Sequence, residues 1–435
     1  MNSNLIQEIF KSLYKKYRIN YSKKEIKLAL IITVFIYYIV EHKEEYNLQL
    51  NSMLEKEVIA SLVKIGREGF IESEIIVPLE RKLNLNTYIS NVYRNLKVRK
   101  DIKFMQNLCE HVSKCEGISV TQLVEFINLE LEKDEVKEAK TINKLIKKIA
   151  PKYPQKVLDN FSGIGESIFS VVENNLTNIR LQDIDEIQCA IATILLVMYQ
   201  YQNFKVINTN TLTYFDDEKF DLIISIPPLI MDTTQIMESR NDYSINTLNK
   251  RDSWGGLKIS FDKLDIKGQL ITLVNTGALT SSKRADECIR EYLIRRGYIK
   301  AIIEFPEKML HGTNVKTSLL IIEKYQRPEI ILINLDSKEG EKYLQKNQTS
   351  LVQITEEGID EIYNILYKNK SSEIAIKVNE ENLIKKTMLL PSLYIIKEDK
   401  YEHKDLIKLL EERSILKRKI KDLEEQYRDI LERKI

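Results

Sequence analysis

The strongest constraint on the fold is an alternation of short β-branched runs with helix-length segments between residues 156 and 323. Runs typical of strands are, in order, 156–158, 178–182, 205–208, 222–225, 269–274, 301–305 and 318–323. Segments typical of the helices between them are 166–174, 186–200, 254–264 and 284–296. This alternation predicts an α/β fold with a doubly wound, mostly parallel, Rossmann-like sheet. Only a loop separates the last two runs, so we expect the final strand to be antiparallel.

The sequences on either side of this alternation predict further domains and segments of the chain. Residues 1–148 carry long apolar-periodic stretches and one proline, Pro78, which predicts a helical N-terminal domain. After a sheet domain at 149–327 we expect a small mixed α/β segment at 328–400. Residues 401–435 place apolar side chains at 3-4 spacing, which is typical of an amphipathic helix of coiled-coil type. Such a helix could pack on another subunit or fold back on its own domain.

Charge and cysteine content narrow the classes of function. The 66 Lys and Arg residues stand against 64 Asp and Glu, so the net charge of +2 gives no global field for a polyanion. Four scattered cysteines and four histidines offer neither a disulfide framework nor a metal site. The longest apolar run, Leu28 to Val40, is too short to cross a membrane. We therefore expect a cytoplasmic protein with free thiols, no metal and no membrane contact.

A glycine-containing loop after the first predicted strand is the candidate ligand site. Asp159 ends the strand, and Gly163 and Gly165 open the following helix. In a doubly wound sheet the backbone passes close to a ligand at this point, and glycine permits the approach. Asp183, about 20 residues further on, could accept hydrogen bonds from ribose hydroxyls. Ile168 replaces the third glycine of a pyrophosphate loop, which favours a cofactor without a pyrophosphate. A purely structural turn is the alternative.

Four later segments carry the most specific pattern in the chain. They span residues 268–279, 289–293, 302–306 and 312–320. Their order and spacing resemble the adenine-specific DNA methylase family, in particular the modification subunit of type I restriction-modification systems. The resemblance covers roughly residues 150 to 325. It implies a methyltransferase sheet, S-adenosylmethionine as cofactor, and DNA and a specificity-type subunit as partners.

The same family resemblance assigns residues to the cofactor. Asp-Asn-Phe-Ser-Gly-Ile-Gly at 159–165 resembles the family's Asp-Pro-x-x-Gly-x-Gly loop, with Asn160 in place of the proline. Gln-Asp-Ile at 182–184 resembles its Gln-Glu-Ile segment, and Thr-Asn-Thr-Leu at 209–212 partly matches its Gly-Asp-Thr-Leu segment. The cofactor-binding residues implied by these matches are Asp159, Phe161, Gly163, Gly165, Asp183 and Asn210.

The catalytic motif of the family is altered in this chain. The family pattern is Asn-Pro-Pro-Phe/Tyr, whereas here the residues are Ile226, Pro227, Pro228 and Leu229. In the family, the Asn side chain and the next carbonyl accept the hydrogens of the adenine amine, and the aromatic ring stacks on the flipped base. Because Ile226 accepts no hydrogen bond and Leu229 has no π face, we expect little or no adenine methylation. The two prolines could then remain only as a rigid turn.

Partners and alternatives follow from this altered motif. The residues that could touch DNA are Lys147, Lys148, Lys152, Lys283, Arg284, Arg290, Arg295 and Arg296, although solvated helix faces look the same. No DNA-reading motif appears, so sequence reading would require another subunit. The first hypothesis is a degenerate methylase subunit that contacts DNA and a specificity-type partner through its terminal helix. The alternatives are an active methyltransferase, on DNA adenine or another acceptor, and an interaction protein whose pocket binds no ligand.

Overall fold

The computed structural model describes residues 5–46, 59, 61, 63, 69–115, 117–129, 137–138, 140–232, 251–311, 313–346, 351–383, 387–395, 416 and 419–420. The chain forms two compact units, Met1–Ser392 and Leu393–Ile435. In the second unit, Leu416, Lys419 and Ile420 are helical, and the rest of the predicted terminal helix lies outside the described residues. The four-part domain division stays a prediction.

The N-terminal part of the first unit is helical, as its periodicity predicts. Its helices are α1 (Leu5–Tyr17), α2 (Lys23–Glu41), α3 (Val77–Lys82), α4 (Tyr88–Asn95), α5 (Ile102–Ser113), α6 (Val120–Leu129) and α7 (Lys140–Ile149). Helix α2 begins with a capping box, because Ser22 accepts from the Glu25 amide while the Glu25 side chain accepts from the Ser22 amide. Residues 28–40 are buried throughout. None of the helices in the described ranges is long and apolar enough to cross a membrane.

Nine strands of the described chain form one large sheet. They are β1 (Lys156–Asp159), β2 (Asn178–Asp183), β3 (Phe204–Asn208), β4 (Phe220–Ser225), β5 (Leu264–Asn275), β6 (Ile299–Glu304), β7 (Thr317–Glu323), β8 (Glu329–Asn334) and β9 (Ala375–Asn379). Their spatial order is β9-β8-β6-β7-β5-β4-β1-β2-β3. Strands β7 and β9 are antiparallel to their neighbours, and the remaining pairs are parallel. The α/β fold class and the antiparallel β7 are therefore confirmed.

Five helices of the described chain accompany the sheet; the first four fall where the alternation places them, and the fifth lies beyond it. They are α8 (Glu166–Val171), α9 (Glu186–Met198), α10 (Gly255–Lys263), α11 (Arg284–Arg295) and α12 (Glu356–Lys368). The strand order reverses beside β1, because the chain adds β2 and β3 on one side of it and β4 and β5 on the other. Such a reversal opens a crevice at the carboxyl ends of the strands.

Helix α9 belongs to two hydrophobic cores at once. Ala192 and Leu196 pack into the core of the sheet, whereas Ile194 and Leu195 pack into the core of the N-terminal helices. The helix is apolar on all sides, which is typical of a helix buried on all sides. The helical region and the sheet therefore share α9 as a common wall.

Arg290 on α11 ties a late segment of the first unit to the sheet domain. The side chain is 1% exposed and donates to the carbonyl oxygens of Ala278, Ser281 and Thr387, each at 2.6 Å. Burial lowers the pKa of this guanidinium. A buried side chain does not present its charge to DNA, so the expectation of a DNA contact does not hold for Arg290.

Replacing this anchor tests its contribution to stability. Arg290→Met should lower the free energy of unfolding by about 3 kcal/mol, because three buried carbonyls lose a charged donor. The exposed Arg295 on the same helix provides the control, and Arg295→Met should change the free energy by less than about 0.5 kcal/mol. Urea unfolding measures both changes, and equal losses would contradict the anchoring role.

Candidate functional site

The predicted site residues meet at one edge of the sheet. Asp159 ends β1, Asp183 ends β2, Asn210 follows β3 and residues 226–229 follow β4. Asp159 pairs with Leu181 on one side and with Ile224 on the other, so the three central strands end nearly level. Parallel strands present their carboxyl ends to the same edge. The fold therefore assembles one crevice from segments far apart in sequence.

The cofactor loop, residues 159–165, is held by its own backbone and by β2. The Asp159 carboxylate is buried and accepts from the Phe161 amide at 3.1 Å. The Ser162 amide donates to the Gln182 carbonyl at 3.0 Å, and the Gly165 amide donates to the Ser162 carbonyl at 2.7 Å. These hydrogen bonds fold the loop across the end of β2.

The two glycines of the loop have different steric roles. Gly163 and Gly165 both adopt positive φ, +51° and +87°. A Cβ at Gly165 would lie 2.8 Å from Leu181 Cδ1 and 3.0 Å from Phe169 Cζ. A Cβ at Gly163 would meet nothing within 4 Å. Gly165 is therefore required by packing, whereas Gly163 faces open space that a ligand can occupy.

Asp183 shapes the second wall of the crevice. Its carboxylate accepts from the Gly163 amide at 2.8 Å and from the Asp185 amide at 2.9 Å. Burial raises the pKa of Asp183, and these backbone donors oppose the shift. A carboxylate has about four lone-pair sites, so Asp183 retains capacity to accept from hydroxyl groups of a ligand.

Sequence reasoning assigned no separate role to Ile184, the neighbour of Asp183. Its side chain is 70% exposed at the end of β2. An exposed apolar side chain beside a carboxylate suits a ligand that carries a flat ring next to a diol. The structure thus places open space at Gly163 next to the Asp183 carboxylate, with Ile184 following in the chain.

The loop after β3 contacts the cofactor loop through a neighbour of the predicted residue. Asn210 Oδ1 accepts from the Leu212 amide at 3.0 Å, which fixes a turn. Thr211 is buried, and its hydroxyl donates to the Asn160 carbonyl at 2.6 Å. Sequence reasoning did not single out Thr211, because spacing alone does not show which residue of a turn points inward.

The acceptor segment, residues 226–229, lies beside the cofactor loop. Ile226 and Leu229 are half-buried and pack against the core of the sheet, while Pro227 is buried. A Cβ at Gly256 on α10 would lie 2.5 Å from Pro227 Cγ and 3.4 Å from Phe161 Cε2. Gly256 therefore lies against both the acceptor segment and the ring of Phe161.

Asn160 connects the loop to α10. The side chain is fully buried, and its Nδ2 donates to the Ser260 hydroxyl at 3.0 Å. The family proline at this position has no side-chain donor. The amide of Asn160 is thus occupied inside the protein and does not extend into the crevice.

The remaining groups that could react or bind a metal ion are the cysteines and the possible metal ligands. All four cysteines are free, and three of them are buried. Burial raises the pKa of Cys189 to about 12, so its thiol stays protonated at neutral pH. Across the described parts of the chain, no group of three His, Cys, Asp or Glu side chains could hold a metal ion.

Comparison with known proteins assigns this arrangement to a family. The family model described as N-6 DNA Methylase matches residues 133–403, which is more than half of the chain. The chain belongs to the N-6 DNA methylase family. The matched range contains the cofactor loop, the acceptor segment and α10.

One relative of the chain is a subunit of a type I restriction enzyme. The type I restriction enzyme MpnII methylase subunit of Mycoplasma pneumoniae is 22% identical over 251 residues, which are 53% of this chain. The chain matches 45% of the length of that relative. The similarity therefore extends over less than half of the relative.

Two solved structures of other proteins have a fold similar to that of this chain. The methyltransferase subunit of the type I restriction-modification system from Streptococcus thermophilus has a TM-score of 0.69 at 14% identity, covering 89% of this chain and 99% of that chain. A modification subunit of a putative type I restriction enzyme from Vibrio vulnificus has a TM-score of 0.70 at 14% identity, covering 88% and 94%. The chain therefore shares the fold of these two subunits.

Alanine substitutions at the two glycines test the steric description of the loop. Gly163→Ala should cost about 1–2 kcal/mol of stability, which is the cost of a left-handed residue with a Cβ. Gly165→Ala should cost about 1–3 kcal/mol more than Gly163→Ala, because its Cβ also overlaps Leu181. Urea unfolding of both variants measures the difference. A loss at Gly163 equal to or greater than that at Gly165 would refute the assignment of open space.

Proposed function

We propose that this chain is a subunit of a type I restriction-modification complex in the cytoplasm, with an S-adenosylmethionine site and little or no adenine methylation of its own. The observation that carries the proposal is the apolar acceptor segment next to a well-formed cofactor loop. Ile226 offers no hydrogen-bond acceptor in its side chain where the family motif has Asn.

The cofactor half of the site suits S-adenosylmethionine. Asp183 would accept hydrogen bonds from the ribose hydroxyls, and Ile184 would contact the adenine ring. Gly163 would let the backbone approach the ligand, Gly165 allows the turn to pack against Leu181, and Asp159 would fix the loop beneath the ligand. Phe161 and Asn210 would line the remaining walls. When bound, S-adenosylmethionine supplies an electrophilic methyl group.

The acceptor half lacks the groups that methylation of adenine requires. Loss of one preorganised hydrogen-bonding group lowers the rate by about a hundredfold or more. Loss of an aromatic platform removes about 1–3 kcal/mol of base stacking. Asn160 is the neighbouring amide in the loop, but it is fully buried and bonded to Ser260. Its side chain is therefore not placed to substitute for the family Asn.

A second candidate function is an active methyltransferase on DNA adenine or on another acceptor. The ring of Phe161 favours it, because this ring and Pro227 both lie against Gly256. An aromatic ring from the cofactor loop could then serve a flat acceptor while Ile226 and Leu229 form an apolar wall. The backbone carbonyl of Pro227 would remain as an acceptor.

The partners of the complex would be DNA and a specificity-type subunit. Lys147 pairs with Glu173 at 2.7 Å and Lys148 pairs with Asp360 at 2.8 Å. These ion pairs support the alternative in which these two lysines lie on a solvated helix face. The better candidates for a DNA contact are the exposed side chains of Lys283, Arg284, Arg295 and Arg296. In the terminal segment, Leu416 and Ile420 are more than half exposed at helical spacing, which supports packing of that helix on a partner.

Calorimetric titration with S-adenosylmethionine tests the cofactor site. Asp183→Asn should weaken binding at least about tenfold, because a charged hydrogen bond is worth about 1.5–3 kcal/mol. The matched control is Asp185→Asn, whose side chain caps α9 by accepting from Ile187. It should leave the affinity within about twofold.

The pH dependence of binding provides a second test of Asp183. Burial raises the pKa of this carboxyl, so it takes up a proton at a higher pH than an ordinary aspartate does. Binding by the unaltered chain should therefore weaken on acidification before the ordinary aspartate range is reached. Asp183→Asn should show no such dependence. Binding that is equally strong in both proteins at every pH would exclude Asp183 from the site.

Restoring the family motif tests the acceptor half. Ile226→Asn combined with Leu229→Phe should raise transfer of labelled methyl to genomic DNA by about a hundredfold or more over the unaltered chain. Ile230→Asn, a polar substitution at the exposed neighbour, should give no gain. Robust methylation by the unaltered chain, with no further increase in the double variant, would contradict the proposal of an impaired site.

A further inference from the structure

Three buried polar side chains connect the cofactor loop, β4 and α10. Asn160, Ser225 and Ser260 are all fully buried. The Ser260 hydroxyl lies 3.0 Å from Nδ2 and 3.3 Å from Oδ1 of the Asn160 amide, 3.0 Å from the Ser225 hydroxyl and 2.7 Å from the Gly256 carbonyl. Ser260 is therefore the common member of all three contacts.

The proton inventory of these groups limits what Ser260 can donate. A serine hydroxyl has one proton and two lone pairs. Ser260 accepts from Asn160 Nδ2, and its own proton is directed to the Gly256 carbonyl at 2.7 Å or to the Ser225 hydroxyl at 3.0 Å. The Ser260 hydroxyl is therefore engaged by buried groups of the protein itself.

The position of these residues gives the network its consequence. Asn160 lies inside the cofactor loop between Asp159 and Phe161, and Ser225 directly precedes Ile226 of the acceptor segment. Gly256, the fourth member, also lies against Pro227. One turn of α10 thus contacts both the cofactor loop and the acceptor segment.

Burial makes the three bonds interdependent. Loss of the Ser260 hydroxyl would leave the buried Nδ2 donor of Asn160 and the buried hydroxyl of Ser225 without this partner. An unpaired buried donor is costly because no solvent replaces the lost bond. Loss of the Asn160 amide or of the Ser225 hydroxyl removes one partner of Ser260 and leaves its other partners in place. Ser260 is therefore the residue whose replacement disturbs both segments most.

We propose that Ser260 is a positioning residue that couples the cofactor loop to the acceptor segment through Asn160 and Ser225. A change in either segment is transmitted to the other through one shared hydroxyl. It follows that a ligand on the cofactor loop orders residues 226–229, a consequence that rests on the proposed function. The coupling itself does not require any ligand.

Hydrogen–deuterium exchange on the ligand-free full chain tests the coupling. Ser260→Ala should speed exchange about tenfold in both residues 159–167 and residues 222–232, since two buried polar side chains lose their partner. Asn160→Ala should speed it in 222–232, and Ser225→Ala should speed it in 159–167. These effects in the segment that carries no substitution distinguish coupling from a local structural role. Effects confined to the altered segment would overturn the proposal.

Two further variants keep the experiment decisive. Ser170→Ala removes a hydroxyl that donates to the Glu166 carbonyl at 2.9 Å on α8, and it should leave both segments within about twofold of the unaltered chain. Ser260→Thr keeps a hydroxyl that can bond to the carbonyl four residues earlier, so it should restore most of the protection lost in Ser260→Ala. If Ser260→Ala does not fold, Asn160→Ala and Ser225→Ala carry the test.

Adding S-adenosylmethionine separates this proposal from the proposed function. In the unaltered chain, bound cofactor should slow exchange in 222–232, and Ser260→Ala should abolish that response. Binding without any change in 222–232 would overturn the transmission. Absence of calorimetric binding would refute the proposed function, while the ligand-free comparison would still decide the coupling.

Discussion

The parallel pairing of β1 with β2 on one side and with β4 on the other is the interaction on which the site depends. Val157 and Leu158 in β1 are fully buried, so the strand is fixed by side chains on both of its faces. Its backbone register aligns Asp159 with Leu181 and Ile224. Because the strand order reverses here, the loops that follow β1 and β4 leave a crevice between them. The cofactor loop and the acceptor segment are neighbours for this reason.

Much of this arrangement could be predicted from the sequence, because strands and helices carry their own periodicities. The β-branched runs gave the central strands, and the short connection before β7 gave its antiparallel direction. The glycine pattern located the loop, since residues without a Cβ are needed at Gly163 and Gly165. These are local signals, and local signals are what a single sequence contains.

Other features could not be predicted, because they depend on contacts between distant residues. Ser260 meets Asn160 across 100 residues, and no spacing rule connects them. Arg290 resembles any basic residue on a solvated helix until its burial is known. The sequence of α9 predicts a helix, but it does not show that the helix packs into two hydrophobic cores. In each case the missing information is which face of an element meets which neighbour.

The two halves of the site differ in what they require of the chain. The proposed cofactor binding would use backbone geometry, one carboxylate and open space, and none of these requires the family proline that Asn160 replaces. Methylation of adenine needs a side-chain acceptor and a stacking ring at fixed positions, and an apolar pair cannot provide them. The central claim is therefore a site whose cofactor half is retained and whose acceptor half is altered.

A single-turnover experiment tests this claim most directly. The protein, loaded with labelled S-adenosylmethionine, is mixed with excess unmethylated DNA, and the bound label, S-adenosylhomocysteine and N6-methyladenine are quantified together. The account predicts bound cofactor that remains intact, with neither product formed in appreciable amount. Formation of S-adenosylhomocysteine and N6-methyladenine in equal amounts, approaching one per bound cofactor, would contradict it.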